Sequence, residues 1–116
     1  MCDALTSIDV PDSVRTIGGY AFAYSHSLAQ ITLGVNATTI GEFAFRECTA
    51  LSSINIPDGV TTIDEGAFCD CDALTEVSLP VSVTALGKCV FGTLPVVYYE
   101  GTTAQWNAVA KAEILF

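Results

Sequence analysis

Apolar residues recur along this chain with a period of 23 positions. The repeating unit reads L-x-x-I-x-I-P-x-x-V-x-x-I-G-x-x-A-F-x-x-C-x-x and divides the chain into repeats at residues 5–27, 28–50, 51–73 and 74–93. The clearest columns are Leu5/Leu28/Leu51/Leu74, Ile8/Ile31/Ile54/Val77, Ile17/Ile40/Ile63/Leu86 and Phe22/Phe45/Phe68/Phe91. Repetition at a fixed period of this length is typical of a repeat solenoid.

Each part of the unit predicts a local structure. The alternation in Leu-x-x-Ile-x-Ile indicates a short strand with one buried face, and equivalent strands would pair in parallel about 4.8 Å apart. The Val-x-x-Ile piece predicts a second short strand. The Ala-Phe-x-x-Cys piece predicts a single helical turn that places Phe inward. Because one unit cannot bury its own apolar side, stacked units would share a continuous core.

The two ends of the array differ. The period breaks after Phe91, and residues 94–99 predict a final strand. Thr102 and Gln105 have capping-box spacing, and Trp106, Val109 and Ala110 share one helical face, so residues 100–116 predict a C-terminal cap whose helix begins at Thr102. At the other end, residues 5–10 predict an uncovered strand edge. Either this chain is the tail of a longer array, or that edge supports self-association.

The repeat resembles the BspA-like class of leucine-rich repeats, found in bacterial and protist cell-surface proteins. The I-P, A-F and C positions carry the resemblance over residues 2–92, and residues 97–109 resemble the segment that closes such arrays. The resemblance implies one right-handed, β-rich solenoid domain over residues 1–116. It also implies adhesion or host-protein binding, with the protein secreted or at the cell surface.

The charge balance excludes several classes of partner. Four Lys and Arg face thirteen Asp and Glu, giving a net charge of −9, so binding to nucleic acid through a basic face is not expected. The uncharged stretch between Arg15 and Glu42 is interrupted by polar residues such as His26 and Asn36, so no membrane insertion is expected. The first residues contain neither a basic nor an apolar run, and therefore predict no signal peptide.

Candidate catalytic and metal-binding residues are few. His26 lies in a variable turn and has no partner set for nucleophilic catalysis. Cys69, Cys71 and Cys89 lack the paired spacing of zinc sites, and the acids from Asp64 to Asp72 have no recognised calcium-loop spacing. We therefore expect no enzyme activity, no metal and no cofactor. Cys48 and Cys71 belong to a repeated column and predict buried thiols.

The outward positions of the first strands form two candidate binding rows. Solenoids commonly bind partners through such a sheet, and Tyr98, whose aromatic ring is typical of interface hot spots, and Gln30 would be the best anchors. The first row is Ser7, Gln30, Ser53, Glu76 and Val96, and the second is Asp9, Thr32, Asn55, Ser78 and Tyr98.

These observations favour a non-catalytic protein-interaction module. In this interpretation the chain is the C-terminal part of a secreted or cell-surface, adhesin-like protein that binds a protein ligand, such as a host extracellular protein. The alternative is a purely structural end-cap of a longer array whose ligand site lies upstream.

Overall fold

The computed structural model describes residues 6–92 and 96–111, except the side chain of residue 110. Short strands alternate with turns, and one helix follows near the end. The elements are β1 (Ser7–Asp9), β2 (Thr16–Ile17), β3 (Gln30–Thr32), β4 (Thr39–Ile40), β5 (Ser53–Asn55), β6 (Thr62–Ile63), β7 (Glu76–Leu79), β8 (Ala85–Leu86), β9 (Val96–Tyr99), α1 (Thr103–Ala108) and β10 (Ala110–Lys111).

The strands form parallel ladders whose register follows the repeat. In the first ladder, β1, β3 and β5 pair so that Ile8, Ile31 and Ile54 lie side by side. The pair of β7 and β9 continues this face, and β7 contacts β5. A second sheet has the order β10-β8-β6-β4-β2, which confirms the second strand predicted from Val-x-x-Ile. The chain is therefore a parallel solenoid of about four turns.

The predicted phenylalanine column is the centre of the core. The rings of Phe22, Phe45, Phe68 and Phe91 stack on one another in sequence, with neighbouring centroids 5.5, 5.4 and 6.4 Å apart. Phe45, Phe68 and Phe91 are fully buried, whereas Phe22 in the first coil is half-buried. Stacking one ring per coil gives each unit an apolar contact with both neighbours.

The turn that contains this column is not helical, so that prediction is wrong. The N–H of Ala21 donates to the carbonyl of Gly18, but the N–H of Phe22 donates to Ala44 in the next coil. This alternation is accompanied by positive φ at two positions in each turn, first at residues 20, 43, 66 and 89 and then at residues 24, 47, 70 and 92. A helical turn would direct its amides along its own axis and leave none for the next coil.

The C-terminal cap combines a helix with a strand. Thr102 caps α1, donating its N–H to Gln105 Oε1 at 2.8 Å and accepting the Gln105 N–H at 3.1 Å, as the predicted capping box requires. The helix is shorter than predicted, because Ala110 does not continue its apolar face but pairs with Ala85 in the second sheet. Strand β10 thus pairs with β8 and forms the last strand of the second sheet. Predictions for residues 1–5, 93–95 and 112–116 lie outside the described ranges.

Candidate interaction surface

The residues of the two candidate rows lie on the face formed by the ladder of β1, β3 and β5 and the adjoining pair of β7 and β9. We call this surface the sheet face. Asp9 pairs with Thr32, and Thr32 with Asn55, while Ser78 pairs with Tyr98. The ten positions of the two rows are exposed: Ser7, Gln30, Ser53, Glu76, Val96, Asp9, Thr32, Asn55, Ser78 and Tyr98. Their placement follows the predicted register, and their role in binding stays a prediction.

The side chains of the two rows are exposed because side chains alternate between the two faces of each strand. Between the two rows, Ile8, Ile31 and Val77 turn toward the core and are packed against or within it. Successive side chains of a strand point to opposite faces, so burying the middle residue exposes the residue on either side. The apolar column and the sheet face are therefore two consequences of one pattern.

The sheet face is mainly small, polar and uncharged. Asp9 and Glu76 are its acidic residues, and Tyr98 is its aromatic residue, with 53% of its surface exposed. Tyr98 lies across from Ser78 and one strand position from Tyr99. Aromatic rings dominate protein interfaces because they bury a large area with few rotatable bonds, so Tyr98 is the strongest single anchor here.

A groove at the carboxyl ends of the strands extends the sheet face. It encloses about 570 Å³ and begins at Asn55, which also belongs to the second row. Val35 lies on its wall with 69% of its surface exposed. The sequence prediction missed Val35, whose repeat column holds aspartate at residues 12 and 58 and valine again at residue 81. The available signal was an apolar residue at a turn position, and Val81 is exposed in the same way.

A cluster of aromatic residues lies on the turns, away from the sheet face, and was not predicted. We call Tyr20, Tyr24, Phe43 and Arg46 the turn-face cluster. The rings of Tyr20 and Phe43 stack with centroids 5.3 Å apart, and the Arg46 guanidinium lies over Phe43 and Tyr24. In sequence, Tyr20, Tyr24 and Phe43 fall in variable positions of the repeat, so the periodic pattern gave no reason to group them.

The cysteines of the repeated column are buried, as predicted. The thiol of Cys48 donates to the Phe22 carbonyl and that of Cys71 to the Phe45 carbonyl, at 3.1 and 3.0 Å. Burial raises the pKa of Cys48 to about 11 and that of Cys71 to about 12. Because the thiolate is the reactive form, both side chains behave as packing groups at neutral pH.

The other polar residues considered as catalytic or metal-binding candidates do not form a common site among the described residues. His26 lies exposed in its turn, and the side chain of Asn36 donates to the Asp12 carbonyl at 2.8 Å. Cys69 is partly exposed, and its pKa is raised by burial and by the carboxylate of Asp70. Within residues 6–92 and 96–111, no three His, Cys, Asp or Glu side chains come together as a metal site would require.

None of the helical structure described is long and apolar enough to cross a lipid bilayer. The longest helix in these ranges, α1, has six residues.

Comparison with solved structures gives bacterial leucine-rich repeat proteins. A protein from Bacteroides capillosus is 31% identical, with a TM-score of 0.76, and the match covers 84% of this chain and 79% of that one. The leucine-rich repeat protein of T. pallidum is 26% identical (TM-score 0.74), with 83% and 52% covered. A leucine-rich cell surface protein from Faecalibacterium prausnitzii is 27% identical (TM-score 0.67), with 90% and 35% covered. The chain thus spans about half the length of the T. pallidum protein.

A search among curated proteins gives no match. A comparison with protein families, in contrast, matches residues 1–100 to the "BspA type Leucine rich repeat region", in six copies. That match covers most of the chain and agrees with the parallel ladders and the 23-residue register described above. This chain therefore belongs to the BspA-type leucine-rich repeat family.

Proposed function

We propose that this chain is a non-catalytic protein-interaction module that binds its partner through the sheet face. The fold is one used for protein interaction, and family members are generally non-enzymatic. The observation that supports the proposal is the register within β1-β3-β5 and within β7-β9, together with the contact between β5 and β7 and the exposure of the ten side chains in the two rows. A rigid solenoid holds these side chains in fixed positions, so little conformational entropy is lost on binding.

The size of the sheet face limits the strength of binding. Five strands at about 4.8 Å spacing and three residues at about 3.3 Å give a surface of roughly 240 Å². A standard interface uses about 800 Å² of each partner. The sheet face alone would therefore support weak association, and the groove beside Asn55 and Val35 is the adjoining surface that can enlarge the contact.

Exposure at the cell surface or secretion is the second part of the proposal. It is supported by the Faecalibacterium prausnitzii protein, which is described as a cell surface protein. In this proposal the partner is an extracellular protein, for instance one of a host, and the chain is the C-terminal part of an adhesin-like protein.

Paired substitutions on the sheet face test the proposal. We expect Asn55→Ala and Tyr98→Ala each to weaken binding about tenfold or more, because hot-spot truncation costs about 1–2 kcal/mol or more. The measurement is affinity by surface plasmon resonance against recombinant extracellular proteins captured first by the unaltered chain. Ser13→Ala is the control, since Ser13 is exposed in the turn between β1 and β2. Unchanged affinity in both sheet-face variants would remove this surface as the binding site.

The structural end-cap remains the second candidate function, supported by the closed C-terminal end. Val109 is buried, and the Trp106 ring packs against Tyr99 with centroids 5.3 Å apart. In this alternative, α1 and β10 terminate an array whose binding coils lie upstream. Failure of the unaltered chain to capture any extracellular protein would favour it.

Self-association through the N-terminal end is a further part of the proposal. The end carries a hollow of about 270 Å³ whose walls include Ile8, Val14, Ile17 and Phe22. Since exposed strand edges and apolar ends favour pairing between chains, we expect the apparent mass in light scattering to rise with protein concentration. Val14→Asp should reduce that rise, and a mass that stays monomeric at every concentration would contradict self-association.

A further inference from the structure

The turn-face cluster presents aromatic surface on the turns that join the second sheet of one coil to the first ladder of the next. Tyr20 is 48% exposed, and its ring stacks at 28° on that of Phe43. Phe43 in turn lies over Gly66, where a β-carbon would collide with its Cδ1 and Cε1 atoms. Gly66 thus makes room for a ring from the preceding coil. The result is a two-ring stack, with Tyr20 as its more exposed member.

The guanidinium of Arg46 is a cation that lies over the aromatic rings of this cluster. Its guanidinium carbon lies 5.4 Å from the centroid of Phe43 and 5.8 Å from that of Tyr24. Its Nε is buried without a hydrogen-bond partner. Ring faces therefore contribute to holding this guanidinium, an interaction that depends on the negative faces of aromatic rings.

Carboxylates border the cluster on both sides. Glu42 and Glu65 directly precede the positions of Phe43 and Gly66, while Glu47 and Asp70 follow those of Arg46 and Cys69. The Glu42 side chain lies against Gly19, next to Tyr20, with its Cγ 3.2 Å from the position of a β-carbon there. Four acidic residues are thus adjacent in sequence to the cluster, which itself contains one guanidinium, so the formal charge of these turns is negative.

We propose that the turn-face cluster is a second docking surface, which binds a protein segment carrying exposed Lys or Arg side chains. A cationic side chain would lie over the exposed face of Tyr20 and pair with the bordering carboxylates of Glu42 and Glu65. The chain's net charge of −9 would speed the encounter with a basic partner. This surface is separate from the sheet face, so one chain could hold two partners.

The probe for this surface is a capped hexa-arginine peptide, with hexa-serine and hexa-glutamate peptides as comparisons. Binding is measured from chemical-shift changes in ¹⁵N-labelled protein, first at low ionic strength and then at about 0.15 M salt. We expect hexa-arginine alone to bind, and the largest shifts to occur at the amides of Tyr20, Phe43 and Glu65. Shifts spread evenly over every acidic residue, or equal binding of hexa-serine, would overturn the proposal.

A matched pair of tyrosine variants separates the two surfaces. Tyr20→Asn removes the ring and suits the positive φ of this position, while Tyr98→Asn removes an equally exposed ring from the sheet face. We expect Tyr20→Asn to weaken hexa-arginine binding about two- to fivefold and Tyr98→Asn to leave it unchanged. Equal affinity in wild type and Tyr20→Asn would overturn the proposal, even if Tyr98→Asn abolished capture of an extracellular protein.

A double variant with intact rings tests the bordering carboxylates. Glu42→Gln with Glu65→Gln keeps the shape of both side chains and removes two charges. We expect it to weaken hexa-arginine binding and to reduce the loss of affinity between low and physiological salt. An unchanged affinity would show that these carboxylates do not take part and would contradict the proposed surface.

Discussion

Phe45→Ala is expected to lower the free energy of unfolding by about 3–5 kcal/mol, because it removes a fully buried ring and leaves a cavity. The Phe45 ring lies between Phe22 and Phe68, at nearly parallel angles of 8° and 2°. Its loss therefore removes contacts with two coils at once. A short solenoid depends on contacts between neighbouring coils, and this loss is a large fraction of the 5–15 kcal/mol typical of a domain.

Urea denaturation followed by circular dichroism measures this effect. Phe22→Ala is the control, since Phe22 occupies the same column but is half-buried and has one stacking neighbour among the described rings. We expect its loss of stability to be clearly smaller. Equal losses for Phe22→Ala and Phe45→Ala would mean that stacking between coils does not set the stability of the array.

Gly41→Ala is expected to destabilise the fold by about 1–3 kcal/mol through overpacking. A β-carbon at this position would lie 2.7 Å from the amide nitrogen of Gly19 and 2.8 Å from the carbonyl oxygen of Ile17. Both are backbone atoms of the preceding coil, and the Gly41 N–H already donates to that same carbonyl at 2.8 Å. The two coils would have to separate locally, which weakens the pairing of β2 with β4.

Gly18→Ala is the matched control for this prediction. Gly18 holds the equivalent position in the first described coil, where a β-carbon would meet nothing within 4 Å. We expect thermal denaturation to show little change for Gly18→Ala and a clear loss for Gly41→Ala. Asp64 occupies the same column, so an adjusted backbone can accept a side chain there, and a loss below that of Phe45→Ala is expected. If both glycine variants lost the same stability, close coil packing would not be the cause.

The periodic pattern was sufficient to predict the strands, their register and the stacked core. A constant offset of 23 residues aligns Ile31 with Ile54 and places Phe45 over Phe68, since a parallel ladder pairs equivalent positions. The same offset placed Asn55 on an outward face, because side chains alternate along a strand. Tyr98 was placed there by the match of the final strand to the same pattern, at a shorter offset of 20 residues from Ser78. These results depend on spacing, which a single sequence displays directly.

The turns could not be predicted in the same way. Backbone with positive φ normally favours glycine, yet Tyr20, Phe43 and Cys89 adopt it here alongside Gly66. Cross-coil hydrogen bonds, such as that from Phe43 to the Glu65 carbonyl at 2.8 Å, hold these residues in that conformation. Such bonds exist only in the stack, so no local signal marks them. The turn-face cluster depends on this backbone and was missed for the same reason.

The end of helix α1 could not be predicted from the sequence, for a different reason. Trp106, Val109 and Ala110 fit one helical face, but a helical spacing does not show where a helix ends. Lys111 donates its ammonium to the carbonyls of Trp106 and Val109, at 2.7 and 3.0 Å. Those contacts and the pairing with β8 end the helix at Ala108. Both depend on residues brought together by the fold.

The constant offset between the internal coils also has a consequence for how proteins of this architecture change in length. Apart from the two pairs at the C-terminal end, which involve β9 and β10, the paired strands join position n to position n + 23, so duplication of one whole internal unit in the gene would add a strand to each sheet without altering the geometry of its neighbours. The sheet would widen by about 4.8 Å, while α1 and β10 would still close the last coil. The solenoid can therefore lengthen by whole repeats during evolution while keeping the same C-terminal cap.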